Sequence, residues 1–120
     1  MNATIMIVSE SRDVSEIVSL FKEIVSYMKI FEFKFAVIRQ NAFDFTDNEN
    51  GPQKIPYPLK LYASNGLKIK VSEVRCGKHD ERADALIEIL KLAGFNLKQK
   101  TIDTIYNEHN VNFTLFMEEK

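Results

Sequence analysis

The segment from Leu59 to Val71 constrains the fold more than any other. Apolar residues alternate with basic or aromatic ones on both sides of Ser64-Asn65-Gly66. A period of two is the pattern of a strand with one buried face. The turn then selects the register. A two-residue Asn-Gly turn would set Leu61 opposite Lys70 and Leu59 opposite Ser72, mixing the faces. A three-residue turn, with Gly66 in the left-handed position, sets Leu61 opposite Ile69, Leu59 opposite Val71 and Ala63 opposite Leu67. Only the second register separates apolar from polar residues, so it is the one expected. A hairpin with one apolar face must be covered on that side. Beyond Val71 the apolar positions shift to Val74 and Cys76, which predicts a bulge near Ser72 and Glu73.

Two amphipathic helices supply the cover. Val14, Ile17, Val18, Phe21, Ile24, Val25 and Met28 recur at helical spacing behind Asp13, a capping residue. Ala83, Leu86, Ile87, Leu90 and Ala93 form a second stripe, in a helix expected from near Asp80 to Ala93. Gly94 suits its left-handed C-terminal position, with Phe95 folding back. Strands are expected over 3–9, over 31–37 with Phe31, Phe33, Phe35 and Val37 on one buried face, and as a short run over 95–100. A last strand should place Val111, Phe113, Leu115 and Met117 inside. Ile102, Ile105, Tyr106 and His109 have helical spacing, so a short helix is expected over 101–109.

Residues 40–58 show no period. Pro52, Pro56, Pro58, Gly51, Asp44, Asp47 and Glu49 crowd this stretch, which reads as a long loop. Its acids do not make a calcium loop of the helix-flanked kind. Aligning Gly51 with that loop's glycine puts Thr46 at the first acid and Tyr57 at the bidentate glutamate.

The order is β-α-β, loop, β-β-α-β-(α)-β. It predicts an α+β fold: a two-layer sandwich with a mixed, largely antiparallel sheet and two main helices on one face. Val8-Ser9-Glu10-Ser11-Arg12 resembles Val71-Ser72-Glu73-Val74-Arg75, and Phe31-Glu-Phe-Lys resembles Phe95-Asn-Leu-Lys. A duplicated β-α-β unit would give a ferredoxin-like version with an extra hairpin strand. The 120 residues suit a single domain, 1–120. Apolar runs are short and Met1–Glu10 has no basic flank, so a cytoplasmic protein is expected, without membrane partners.

Chemistry is sparse. One cysteine excludes an internal disulfide and a multi-cysteine zinc site. His79 and His109 lack metal-ligand spacing, and neither a metal nor a cofactor is expected. Cys76-Gly77-Lys78-His79-Asp80-Glu81-Arg82 resembles the Cys-x5-Arg loop of cysteine-dependent phosphatases, arsenate reductases and rhodaneses. The resemblance covers seven residues, of which two define the pattern. It implies Cys76 as a catalytic nucleophile and Arg82 as an anion clamp at a helix N-terminus. Asp80 and Glu81 depart from it, bringing negative charge into a loop meant for an oxyanion. The competing reading is a buried structural cysteine.

Binding surfaces are the better expectation, and the chain reads as a non-enzymatic binding or assembly module. Phe43, Phe45, Ile55 and Tyr57 place apolar surface in the polar 40–58 stretch. They suit a protein partner or a second copy in a homodimer. Phe116, on the polar face of the last strand, raises the same question. The hairpin's outer face sets Lys60 opposite Lys70 and Tyr62 opposite Lys68. From Lys60 to Lys78 there are five basic residues and one acid, a local +4 in a chain of net charge −1. Such a face could contact phosphates. Against this stand the chain's slightly negative charge, the absence of an RNA-binding signature, and the use of lysines to protect edge strands from aggregation. Nucleic acid therefore ranks third, behind a protein partner and a thiol enzyme.

Overall fold

The computed structural model describes residues 4–7, 13–27, 32–40, 43–48 and 51–117; for 43–48 and 52–54 it describes the backbone alone. Val8, Met28 and Phe31, and the side chains of Phe43 and Phe45, lie outside the described residues. The elements in chain order are β1 (Thr4–Ile7), α1 (Val14–Tyr27), β2 (Phe33–Arg39), β3 (Phe43–Asn48), β4 (Gly51–Pro56), β5 (Leu59–Ala63), β6 (Lys68–Val71), α2 (Glu81–Leu92), α3 (Gln99–Asn107) and β7 (Asn112–Phe116).

Five strands form one sheet in the order β1-β6-β5-β2-β7. β1 runs parallel to β6, and the other three neighbouring pairs are antiparallel. The expected α+β class is what the structure shows, with three helices against a mixed sheet. The ferredoxin-like version is not the arrangement found. The whole β5–β6 hairpin lies between β1 and β2, and β6 and β7 run in opposite directions, so two repeated β-α-β units do not build this sheet.

The hairpin register is the expected one. Leu59 pairs with Val71, Lys60 with Lys70, Leu61 with Ile69 and Tyr62 with Lys68. The Ala63 N–H donates to the Leu67 carbonyl at 2.8 Å. Gly66 has φ +88°, and the Asn65 side chain accepts the Leu67 N–H. Past Val71 the chain kinks instead of bulging. Ser72 still donates its N–H to the Ile7 carbonyl at 3.0 Å, and Glu73 then takes φ +64°.

The helices form as their spacing dictates. Asp13 accepts the Ser15 N–H at the start of α1, which buries Val14, Ile17, Val18 and Phe21. In α2 the chain reverses at Gly94, φ +101°. The Phe95 N–H reaches the Leu90 carbonyl and the Gly94 N–H the Lys91 carbonyl, the paired bonds of a Schellman motif. Ile17, Phe21, Leu86, Ile89 and Leu90 are fully buried. Each such side chain contributes about 1.5–3 kcal/mol relative to exposure. Residues 101–107 are helical as expected, within α3. No strand forms over 95–98, because Phe95 is spent on the helix terminus and the segment has no ladder partner.

Two further expectations are corrected. The stretch 40–58 is not one loop: β3 and β4 form a separate two-stranded sheet, closed near Gly51 at φ +96°. Both strands of a ribbon are edges, so Pro52 and Pro56, which share one parity, fit without breaking a ladder. In β2 Phe33, Phe35 and Val37 do not share the one buried face expected of them. The register shifts between Phe33 and Phe35. Phe33 is buried with Ala36 and Ile38, while Phe35 and Val37 turn to the opposite, half-exposed side.

Candidate functional site

The face of the sheet away from the helices is lined by residues aligned in register. One row reads Phe116, Phe35, Tyr62, Lys68, from β7 through β2 and β5 to β6, each directly opposite the next. The adjacent row reads Thr114, Val37, Lys60, Lys70 and then Met6 on β1. Neither row contains an acid. The Phe35 and Tyr62 rings stack at 4.5 Å with an interplanar angle of 17°. Phe116 leans on Phe35 at 6.0 Å and 44°. The Lys68 ammonium lies 5.1 Å from the centre of the Tyr62 ring, within cation–π range. Phe116 is 72% exposed and Met6 55%.

This geometry separates the aromatic residues by task. Phe35 and Tyr62 are closed face to face on each other, and Lys68 covers the far side of Tyr62. Phe116 is the ring that remains open to a planar ligand. Strand spacing of about 4.8 Å puts Lys68 roughly 14 Å from Phe116 across the row, about two nucleotides of an extended strand. Sequence alone pairs Tyr62 with Lys68. It does not bring Phe35 and Phe116 to them, because that requires the shift in β2 and the order of the sheet.

The lysines of the hairpin are not edge guards. β5 and β6 are central strands, flanked by β2 and β1. The edges are β1 and β7, and neither contains a charged residue. Tyr57, expected as a contact residue, is 1% exposed and belongs to no outward surface; the Lys70 ammonium lies 5.7 Å from its ring centre.

The Cys76 loop is filled from within. Cys76 is 4% exposed, and burial pushes its thiol up to about 12. A nucleophile needs the opposite shift. The anion-binding end of α2 is occupied by Asp80, whose Oδ1 accepts the N–H groups of Arg82 and Ala83, each at 3.1 Å. Partial burial would raise the Asp80 carboxyl. The Ala83 N–H, the Arg75 guanidinium and the Arg82 N–H outweigh it and hold the group below its ordinary value. The Cys76 N–H donates to Gln40 Oε1 and the Gly77 N–H to the Ile105 carbonyl. Arg82 lies 3.7 Å from the Glu73 carboxylate. The N–H groups of Cys76, Gly77, Arg82 and Ala83 and the Arg82 guanidinium are thus engaged.

Both histidines are in packing positions. The His79 ring stacks on Tyr106 at 3.7 Å, and the Tyr106 hydroxyl donates to Asp84 at 2.5 Å. His109 lies over Gly77, where an added Cβ would come within 2.8 Å of Nδ1. Among the described residues no three His, Cys, Asp or Glu side chains converge as metal ligands. Among the same residues, no helix is long and apolar enough to cross a membrane. No family model, curated protein or solved structure is significantly similar to this chain.

Proposed function

We propose that this chain is a non-enzymatic binding module whose working surface is the open sheet face, and that the face takes a single-stranded nucleic acid. The supporting observation is the register row Phe116, Phe35, Tyr62, Lys68, which sets an exposed ring, a stacked aromatic pair and a cation side by side on the face away from the helices. Lys68 stands on a central strand, so edge protection does not account for its charge. Phe116 offers a ring face to one base, and Lys68 meets the backbone beyond the stacked pair. Base–aromatic stacking tolerates sequence, and the phosphate contacts carry no sequence information, so binding is expected to be weakly selective.

The test is fluorescence anisotropy of labelled single-stranded RNA and DNA oligonucleotides at about 50 and about 200 mM salt. Binding should weaken as salt rises. Phe116→Ala should weaken it about 5- to 100-fold, the range of one lost stacking contact. Lys68→Gln should lower the salt slope by about 1. Phe116 is exposed, so its removal should leave thermal unfolding unchanged. Absence of binding at the lower salt would overturn the reading, as would Phe116→Ala binding as tightly as the parent.

A further inference from the structure

The free edge of β7 has the features of a self-pairing strand. Its ladder with β2 fixes which backbone groups are left over. The Met117 N–H donates to the Lys34 carbonyl and the Gln40 N–H to the Val111 carbonyl. The pairs between them keep the same register. Residues 111, 113, 115 and 117 therefore turn their N–H and C=O groups toward β2. Asn112, Thr114 and Phe116 turn theirs outward, and among the described residues no strand takes them up.

Unpaired edges are normally blunted by charge, proline or a bulge. The strand Asn112–Phe116 has none of these. On its inner face, Phe113 and Leu115 pack against the core but stay half-exposed, unlike the fully buried Leu59, Leu61 and Ile69 of the central strands. The sheet's apolar layer is thus unfinished at this end.

We infer that β7 pairs antiparallel with β7 of a second copy of this chain about a two-fold axis through Thr114. In this register Thr114 faces its own mate, and Asn112 faces Phe116 of the second copy. All six outward N–H groups find carbonyls. On the inner face Phe113 falls beside Leu115 of the second copy, and the reciprocal contact follows by symmetry. The self-match is specific to a neutral strand: a single lysine or glutamate at the axis would meet its own like charge. The result is a continuous ten-stranded sheet with the two open faces side by side. A closed two-fold pair also differs from β1-to-β7 pairing, which joins unlike edges and would propagate into filaments. The inference does not rest on the nucleic-acid reading, since it uses the outward backbone groups of β7 and not the side chains that strand lends to the face.

Sedimentation equilibrium on the intact chain tests the state, and oxidation tests the register. A junction of two short strands buries modest area, so a dimer is expected at micromolar and higher concentrations. Thr114→Lys should give a monomer that keeps its far-UV spectrum and cooperative unfolding. Thr114→Cys should form a disulfide-linked dimer on mild oxidation, because hydrogen-bonded mates have Cα atoms about 5.5 Å apart. Asn112→Cys should not, since its mate is Phe116. Cys76 is buried and does not compete. A folded parent that stays monomeric at about 100 μM would overturn the inference, this being the weak end of protein association. So would filaments, or a dimer in which Thr114→Cys fails to link. Thr114→Pro, which removes an outward N–H and adds no charge to the face, separates the two readings: oligonucleotide binding by that monomer would leave the face reading standing whatever the edge does.

Discussion

At the scale of single residues, the chemistry-bearing side chains of this protein mostly hold structure. Cys76 is the clearest case. It begins the only stretch resembling a catalytic loop, and the fold buries it. Two consequences are measurable. Alkylation of Cys76 at pH 8 should be negligible in the native protein and complete after denaturation, as followed by mass spectrometry. The second concerns stability. The folded thiol titrates near 12, against 9.0 for an ordinary cysteine. Above pH 9 the unfolded chain gives up a proton that the folded chain keeps, so stability is fully present below 9 and falls as pH rises toward 12. Chemical denaturation at pH 8 and pH 10.5 should show this fall. A Cys76→Ala variant should lose that component, with a cavity cost of its own at both values. Asp80 titrates with the opposite sign: its lowered carboxyl supports the start of α2 above the ordinary carboxylate range, and that support fades in acid.

At the scale of elements, what could be read from the sequence is what is local. The β5–β6 register follows from three turn residues and the alternation around them. The two main helices follow from their stripes, and the end of α2 from Gly94 and Phe95. A Gly94→Ala change tests that terminus. The added Cβ meets only Met117, at ordinary contact distances of 3.6 Å and beyond, so the cost is conformational, at φ +101°. About 1 kcal/mol of stability should be lost, which thermal unfolding would register as a fall of several degrees. Elements set by distant partners were not legible, and one local hairpin also escaped, because the β3–β4 ribbon is rich in proline, glycine, asparagine and aspartate, residues that sheets usually avoid. The shift in β2 leaves an alternating sequence looking regular while its faces exchange after Phe33. The candidate face was half legible for the same reason. Tyr62 and Lys68 meet through a hairpin, whereas Phe35 and Phe116 reach them through strand order.

At the scale of the whole molecule, one layer of helices covers one side of a five-stranded sheet, and the other side and one edge are left with recognisable chemistry. The open face carries aromatic and basic residues in register, and the neutral edge carries a self-complementary strand, so β7 would lend side chains to the face and backbone groups to assembly. The parallel pairing of β1 with β6 has a further effect, on the order of events during synthesis. Thr4 pairs with Lys68, 64 residues on, and the Ser72 hydroxyl reaches back to the Ile7 carbonyl at 3.3 Å. Among the described residues, no other strand can accept β1. β1 leaves the ribosome well before β6 and must therefore wait, with Ile5 and Ile7 unsheltered, until the chain beyond residue 71 has emerged. Contacts of such long range slow folding, and β1 is committed to one of them.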